Sequence, residues 1–390
     1  MTGTRSVLLP PSADAVIIGA GIMGCSIAWH LSERGMRNIV VLERDLIGRG
    51  STADAAGGIR SQFSTATNIL LSQRSLEYWE HFEERFGVDI NFRQQGYLFL
   101  LTTPEEVEVF QRNLALQQSL GVPVRWVSPQ DIHELCPVLR LDDVLGGTFC
   151  PRDGWADTST STQGFAAAAR RNGVRFIEHT AVTGIDVRNG RVQAVLTADA
   201  RIATPLVISC AGPHSRAIGK MAGLEVPIDP YRRMSFVTGP YPRVPSHVPM
   251  TIEFARSLYF HPDGHGFLFG MSNQHEPTSE NKTVDQEWML TTIAALIDRA
   301  PAFEDASVLR GWAGFYEVTP DDNPLLGSYA ELDGFVIAAG FSGHGFMQGP
   351  AVGLAVSELI LDGTSHSIDV SAFRPSRFAE GSLLQEHNVI

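Results

Sequence analysis

Three glycines near the N-terminus have a spacing that suits contact with phosphate. Gly19, Gly21 and Gly24 form a GxGxxG pattern directly after the apolar run Ala15–Ile18. Residues 22–31 carry apolar side chains at helical spacing, so the glycines are expected to form the turn between a strand and a helix. Glycine allows the backbone to approach a pyrophosphate, which the amides and dipole at a helix N-terminus attract. The pattern therefore predicts a dinucleotide-binding turn, with a purely structural tight turn as the alternative.

A carboxylate follows at the end of a second buried run, residues 39–43. Glu43 lies 19 residues after Gly24. A carboxylate in this place accepts hydrogen bonds from both ribose hydroxyls and would repel a 2′-phosphate. Strand, glycine turn, helix, strand and acid together are typical of a βαβ unit that binds a dinucleotide. This unit alone does not distinguish NAD from FAD.

Two further segments favour FAD. Residues 49–52, RGST, offer small hydroxyl side chains for a pyrophosphate or a flavin. Near the C-terminus, the apolar run 335–339 opens into GFSGHGF at residues 340–346. This arrangement predicts a second helix N-terminus facing the nucleotide, which suits the flavin ring and its ribityl chain. An NAD-dependent dehydrogenase, the alternative, would leave both segments unexplained.

The composition excludes several other classes of protein. The net charge of −13 argues against nucleic-acid binding, which requires an excess of Lys and Arg. Cys25, Cys136, Cys150 and Cys210 have no CxxC spacing, which argues against structural zinc and a disulfide framework. No apolar run approaches the roughly 20 residues of a membrane helix, and the first dozen residues lack the apolar stretch of a signal peptide. We expect a cytoplasmic protein without membrane association.

The order of the apolar runs predicts two discontinuous domains in a chain of 390 residues. Strand and helix patterns occupy its beginning, middle and end, whereas short strands between Pro-, Gly- and His-rich turns fill residues 224–316. We predict an α/β architecture with a Rossmann-like FAD-binding domain and an α+β substrate-binding domain built on an antiparallel sheet. The first domain comprises residues 14–90, 146–223 and 320–365. The second comprises residues 91–145 and 224–319, and residues 1–13 and 366–390 are terminal extensions.

Local patterns predict several further elements. Residues 68–86 form one long amphipathic pattern, and residues 351–361 are expected to form the closing helix. Gln286–Arg299 is predicted as a helix within the second domain. The Asn189-Gly190 pair predicts a β-hairpin over residues 185–196.

The chain resembles the D-amino-acid-oxidase superfamily of FAD proteins, in the branch of sarcosine oxidases, glycine oxidase and the β subunits of proline and sarcosine dehydrogenases. The resemblance rests on DAVIIGAGIMG, VVLERD, RGSTADAAGGIR, VISCAG, TPDDNPLLG and AAGFSGHGF, which occur in the family's order across nearly the whole chain. It implies contacts to FAD from Gly19, Ala20, Gly21, Ile22, Met23, Gly24, Glu43, Arg44, Gly50, Ser51, Thr52, Gly57, Gly58, Val182, Ala211, Gly212, Gly340, Gly343, His344, Gly345, Phe346 and Met347.

The resemblance also bears on how the flavin and the substrate are held. Sarcosine oxidases attach flavin through a cysteine shortly before TPD, where this chain has Gly314-Phe315-Tyr316, so we expect non-covalent FAD. Arg60 falls where those enzymes keep an arginine that grips the substrate carboxylate, and a surface arginine is the alternative. Their carboxylate-binding lysine after GHGF is Met347 here, and their oxygen-activating lysine is replaced by Leu268.

Several side chains are candidates for the substrate pocket. Tyrosines suit such a site because they cover a bound amine and offer an uncharged hydroxyl; packed structural residues are the alternative. His261 and His265 flank a Pro-Asp-Gly turn and not a helix face, so we predict no metal site. The catalytic candidates are Arg60, Tyr259, Tyr316 and His344, and the substrate-binding candidates are Arg60, Tyr259, His261, Tyr316 and Met347.

The implied reaction is oxidation of a secondary amine or amino acid, such as an N-substituted glycine or a proline-like imino acid. A hydride passes to flavin N5, the imine is hydrolysed, and O2 is the favoured electron acceptor. Removal of a carboxymethyl group from a larger amine is a biosynthetic variant of this chemistry. The alternatives are a dehydrogenase that uses partner subunits and another acceptor, and a non-catalytic FAD-binding assembly factor.

Overall fold

The computed structural model describes residues 9–390, so residues 1–8 of the predicted N-terminal extension lie outside the described part. The helices in this part are α1 Ile22–Glu33, α2 Ser51–Asp54, α3 Ala66–Glu80, α4 Phe82–Phe86, α5 Pro104–Ser119, α6 Pro129–Leu135, α7 Thr158–Arg171, α8 Ser215–Met221, α9 Gln286–Arg299, α10 Gly345–Asp362 and α11 Arg377–Glu380. Short 3-10 turns occupy Gly212–His214, Pro301–Phe303 and Ser371–Phe373.

The strands belong mainly to two large sheets. In chain order they are β1 Ala15–Ile18, β2 Ile39–Leu42, β3 Gly58–Ile59, β4 Tyr97–Leu101, β5 Arg125–Val127, β6 Gly146–Cys150, β7 Gly154–Trp155, β8 Arg175–Ile177, β9 Val182–Arg188, β10 Arg191–Thr197, β11 Arg201–Ala203, β12 Val207–Ser209, β13 Asp229–Thr238, β14 Met250–Glu253, β15 Leu258–Asp263, β16 Gly266–Met271, β17 Val308–Val318, β18 Leu325–Tyr329 and β19 Leu332–Ala339.

The first sheet has nine strands and a parallel centre. Its order is β11-β10-β19-β12-β1-β2-β8, with β18 paired to β19 and β9 to β10. The neighbours from β19 to β8 run parallel, so their carboxyl ends meet at one edge, where open α/β sheets bind ligands. Helices α1, α3, α7 and α10 cover one face, and Ala15 and Ile17 point into that core. Val16 and Ile18 point to the core on the opposite face.

The second sheet has eight strands in the order β17-β13-β16-β15-β14-β4-β6-β5. Every pair is antiparallel except the parallel pair of β4 and β14. Phe236, Phe260 and Phe269 point from its central strands into a core that includes side chains of α6 and α9. The predicted fold class, a Rossmann-like α/β unit with a largely antiparallel second sheet, is confirmed.

The chain passes between the sheets more than once, as the discontinuous pattern predicts. One strand lies elsewhere than its predicted range implies: β6 falls within residues 146–223 but pairs with β4 and β5 in the second sheet. The exact domain boundaries remain a prediction. The Asn189-Gly190 hairpin is present, and both turn residues have positive φ (52° and 70°), which an Asn-Gly turn accommodates.

Two helices differ from their predicted extents. The pattern over residues 68–86 is divided into α3 and α4 at His81, whose φ of −110° and ψ of 21° leave helical geometry. Helix α10 begins six residues before the predicted 351, and it contains Pro350. Neighbouring side chains compensate for that proline: Ser75 Oγ accepts from the Ala351 N–H at 3.0 Å. The indole N–H of Trp79 likewise donates to the carbonyl of Met347 at 2.9 Å.

Candidate active site

The three glycines of the first turn have different structural reasons to be glycine. Gly19 has a φ of 102°, and a Cβ there would lie 2.4 Å from the carbonyl oxygen of Cys210. A Cβ on Gly24 would lie 1.9 Å from the carbonyl oxygen of Gly19. These two positions therefore allow tight packing of strand, turn and helix. A Cβ on Gly21 would meet only the Thr52 hydroxyl oxygen, at 3.0 Å, and would otherwise project into open space.

Glu43 is held against the glycine turn by backbone amides. Its Oε2 accepts from the N–H of Ala20 at 2.8 Å, and its Oε1 accepts from the N–H of Asp45 at 2.9 Å. Thr52 Oγ1 accepts from the N–H of Ile22, the first residue of α1, at 3.2 Å. The RGST segment and the acid at the end of β2 are thus both fixed beside the start of α1.

A second helix N-terminus is built by the late glycine-rich segment. Gly340 and Gly343 have φ values of 84° and 96°, and Ser342 between them has 47°, a conformation that non-glycine residues adopt seldom. A Cβ on Gly343 would lie 2.3 Å from the ring of Tyr316. This turn therefore brings the start of α10 close to the end of β17.

Both helix N-termini face one cavity of about 760 Å³, lined by residues of both sheets. Its size is within the roughly 300–1,000 Å³ of cofactor and ligand sites. Most residues predicted to contact FAD line this cavity: Gly19, Gly21, Ile22, Met23, Glu43, Arg44, Gly50, Ser51, Thr52, Gly57, Gly58, Val182, Ala211, Gly212, Gly343, Gly345, Phe346 and Met347. Ala20, Gly24, Gly340 and His344 are not among the lining residues.

These features fit FAD. Gly21 leaves the amides at the start of α1 open toward the cavity, as contact with a pyrophosphate requires. Glu43 would accept hydrogen bonds from a ribose, and the start of α10 would offer a second set of amides to the flavin end. Glu317 also lines the cavity, and one of its carboxyl oxygens is buried without a hydrogen-bond partner among residues 9–390.

The opposite wall of the cavity is the inner face of the second sheet. Side chains alternate across a sheet, so Arg233 and Ser235 on β13 point to the cavity while Phe236 points away. Tyr259 on β15 also lines the cavity, and burial raises the pKa of its hydroxyl well above the usual value. Tyr316 on the edge strand β17 completes this aromatic wall, and burial raises its pKa as well.

Arg60 lies behind the cavity wall and does not line it. The residue is 4% exposed, and its guanidinium donates to the backbone carbonyls of Gln62 and Asn388. The guanidinium carbon lies 3.9 Å from the centre of the Phe63 ring. Burial lowers the pKa of Arg60. The structure therefore places this predicted carboxylate-binding residue among backbone acceptors and an aromatic ring.

The two predicted histidines also lie outside the cavity lining. His261 Nδ1 is 2.8 Å from the carbonyl oxygen of Pro262, and Nε2 is 3.0 Å from that of Ala56. Since Ala56 lines the cavity, His261 supports the wall from behind. His344 is 1% exposed, and its ring nitrogens have no hydrogen-bond partner within residues 9–390. Burial lowers the pKa of His344 to about 3, so its ring is neutral.

The polar lining residues that the sequence did not point to include Arg233, Ser235 and Glu317. Arg233 donates from Nη1 to the carbonyl of Arg232 at 3.0 Å, and its guanidinium carbon lies 5.2 Å from the Tyr316 ring centre. Burial raises the pKa of Glu317 to about 7. The two-residue spacing of Arg233 and Ser235 is the signal that could have placed both on one face of β13. Glu317 directly follows Tyr316 in β17, so alternation gives no such signal for it.

The comparisons with known proteins decide the family. The model of the FAD dependent oxidoreductase family, DAO, matches residues 14–359. The chain belongs to the DAO family of FAD-dependent oxidoreductases. The predicted resemblance and the predicted cofactor, FAD, are thereby confirmed. Non-covalent attachment remains a prediction.

Relatives of this DAO-family chain include oxidoreductases from distant organisms. FAD-dependent oxidoreductase domain-containing protein 1 of Xenopus laevis is 32% identical over 435 residues, which cover 98% of this chain and 86% of that protein. Mitochondrial sarcosine dehydrogenase of Homo sapiens is 30% identical over 387 residues, 94% of this chain. The match covers only 42% of the human protein, so the chain spans less than half of that relative's length.

A solved structure supports the same assignment. The crystal structure of L-proline dehydrogenase from P. horikoshii has a TM-score of 0.91 and 36% sequence identity to this DAO-family chain. The match covers 96% of this chain and 100% of that one. Within residues 9–390, no helix is both long and apolar enough to cross a bilayer. That same range contains no group of three or more His, Cys, Asp or Glu residues that could hold a metal ion.

Proposed function

We propose that this chain oxidises a secondary amine or amino acid, such as an N-substituted glycine or a proline-like imino acid, with FAD in the cavity of about 760 Å³. One observation carries the proposal: a single cavity is lined by both helix N-termini on one side and by Tyr259 and Tyr316 on the other. A cofactor and a small organic substrate can therefore share one enclosed space.

The cofactor side of the cavity supplies binding groups and little reactive chemistry. When bound, FAD supplies the acceptor for a hydride from the carbon next to the substrate nitrogen. The amides at the start of α1 would hold the pyrophosphate, and Glu43 would accept hydrogen bonds from the ribose hydroxyls. The N-terminus of α10 would stabilise negative charge at the flavin end of the cofactor.

The substrate side would position an amine without protonating it. Burial raises the pKa of both Tyr259 and Tyr316, so their hydroxyls remain neutral donors and acceptors across the working pH range. The Tyr259 hydroxyl lies 2.8 Å from Ser235 Oγ, which fixes its direction. Both rings exclude water from the reacting carbon. Positioning of this kind can account for a large part of a rate enhancement.

The electron acceptor has two candidates. O2 is the acceptor that the sequence analysis favours. Two of the relatives, from Homo sapiens and P. horikoshii, are named dehydrogenases, which favours a different acceptor as the second candidate.

The test is anaerobic titration of the purified, FAD-loaded protein with sarcosine, N-ethylglycine and L-proline. Bleaching of the oxidised-flavin absorbance by one of these compounds is the expected result. Admission of air and, separately, addition of a dye acceptor would then distinguish an oxidase from a dehydrogenase. A protein that holds FAD and is bleached by none of these or other secondary amines would overturn the proposed reaction and favour a binding or assembly role.

A further inference from the structure

Several of the largely buried arginines of residues 9–390 are neutralised by carboxylates. Arg299 donates from Nε to Glu253 at 2.8 Å, and Arg377 donates from Nη2 to Asp321 at 2.8 Å. Pairing of this kind is expected, since an unpaired buried charge is costly. Arg60 and Arg233 are the exceptions among the largely buried arginines of residues 9–390.

Arg233 is the exception that faces the cavity. No carboxylate within residues 9–390 lies within 4.0 Å of its guanidinium nitrogens. Its Nε is buried and has no acceptor there, and burial lowers the pKa of the side chain. Glu276, an acid close to it, is engaged by the neighbouring Arg232 at 2.8 Å. The cavity wall thus contains a guanidinium with unused donors.

Arg60 is less suited than Arg233 to bind an anion in the cavity. Its two terminal nitrogens already donate to the carbonyls of Gln62 and Asn388, and Phe63 packs on the guanidinium. An anion from the cavity would have to displace those contacts. Arg233 requires no such rearrangement, because it already lines the cavity beside Tyr316.

We propose that Arg233, and not Arg60, binds the carboxylate of an amino-acid substrate. A guanidinium can pair with both oxygens of a carboxylate, which fixes the orientation as well as the charge. Ser235 lies two residues along the same face of β13 and is coupled to Tyr259 at 2.8 Å, so hydroxyl groups adjoin the anion site. The inference rests on the proposed function, because it assigns the substrate class of that reaction.

The first test measures binding without turnover. Tetrahydrofuran-2-carboxylate, a proline analogue without an oxidisable nitrogen, would be titrated into the FAD-loaded protein while the flavin absorption spectrum is recorded. We expect Arg233→Gln to weaken its binding on the order of 100-fold or more, and Arg233→Lys to weaken it less. The neutral tetrahydrofuran-2-carboxamide should bind wild type and Arg233→Gln alike.

Arg310→Gln is the matched control. It removes an exposed arginine of the neighbouring strand β17 that does not line the cavity. We expect this variant to bind the carboxylate as wild type does. The FAD content and melting temperature of each variant show whether it is folded. If Arg233→Gln is unstable, the same carboxylate titration is carried out with Arg233→Lys.

The second test compares substrates. For L-proline, Arg233→Gln should raise KM on the order of 100-fold, whereas kcat/KM for pyrrolidine, which has no carboxylate, should change little. Unchanged carboxylate binding in a folded Arg233→Gln variant that still oxidises L-proline would overturn the inference and leave the proposed function intact. Arg233-dependent carboxylate binding in a protein that no amine reduces would support the anion site and overturn the proposed function.

Discussion

The hydroxyl groups of Tyr259 and Ser235 lie 2.8 Å apart although their strands, β15 and β13, are not neighbours. Strand β16 runs between them, and Gly270 is the residue paired with both. A Cβ on Gly270 would lie 2.4 Å from the Tyr259 hydroxyl oxygen. The side chain of Tyr259 can therefore reach across β16 to Ser235 only because Gly270 has no side chain.

We predict that Gly270→Ala displaces Tyr259 and lowers kcat/KM for the amino-acid substrate on the order of 10- to 100-fold. FAD content should not change, because Gly270 lies outside the cofactor side of the cavity. Steady-state kinetics together with the absorbance ratio of flavin to protein would measure both effects. Tyr259→Phe, which keeps the ring and removes the hydroxyl, is the control. A kinetically normal Gly270→Ala variant would contradict the positioning role of the tyrosine.

Gly21→Ala should weaken FAD binding without unfolding the protein. The added Cβ would meet only the Thr52 hydroxyl oxygen, at 3.0 Å, and would project toward the space assigned to the pyrophosphate. A rise in the FAD dissociation constant of roughly tenfold or more is expected, measured by reconstitution of the FAD-free protein. Gly24→Ala is the contrasting variant: its Cβ would lie 1.9 Å from the Gly19 carbonyl oxygen, so loss of folding is expected. Equal FAD affinity in Gly21→Ala and wild type would argue against the assigned pyrophosphate position.

The buried carboxyl of Glu317 should make the FAD-free protein less stable as the pH rises. Its pKa is about 7 in the folded chain and 4.5 in an ordinary environment. Between these values the folded state retains a proton that the unfolded state has lost. The free energy of unfolding should therefore fall by up to about 1.4 kcal/mol per pH unit from this group and then level off above pH 7.

Glu317→Gln should remove that dependence. Urea unfolding of the FAD-free variant and wild type at several values between pH 5 and 8 would reveal a stability difference that grows in favour of the variant as the pH rises. A difference that stays constant across this range would mean that the carboxyl titrates as an ordinary glutamate.

Arg60→Met should affect stability more than substrate binding. The substitution leaves the carbonyls of Gln62 and Asn388 without their donor, at a cost of about 1–3 kcal/mol in the free energy of unfolding. KM for the amino-acid substrate should remain within about threefold of wild type, since Arg60 does not line the cavity. Chemical denaturation and steady-state kinetics would separate these effects. A large rise in KM in a stable variant would restore Arg60 as the carboxylate-binding residue.

The parts of the site that depend on neighbours in sequence could be predicted from the sequence. Gly19, Gly21 and Glu43 belong to one contiguous βαβ unit, and their positions follow from strand, turn and helix geometry. The glycine-rich turn before α10 could also be predicted, because it directly follows β19 in the sequence. The start of α10 was predicted too late because Pro350 is normally a helix breaker. The groups that compensate for this proline come from α3, more than 250 residues earlier in the sequence.

The wall of the cavity that the second sheet forms could not be predicted in the same way. Arg233, Tyr259 and Tyr316 are brought together by pairing in a sheet whose strand order does not follow the chain. The resemblance predicts a carboxylate-binding role for Arg60, but the surroundings of Arg60 depend on Asn388 at the far end of the sequence. Local spacing can place residues on one face of a strand, but it does not show which strands pair or that Asn388 contacts Arg60.

The strand order of the first sheet also constrains how this chain can acquire its structure. The centre of the sheet pairs Val16 with Val207 and Val207 with Phe335. A growing polypeptide therefore exposes the apolar strand β1 long before its partner β12 exists, and β12 must in turn await β19. Contacts of such long range slow folding and leave hydrophobic strand edges open to aggregation. Fragments that end before residue 339 would lack the strand that completes the parallel centre, so the first sheet of this enzyme is not expected to form in an N-terminal piece alone.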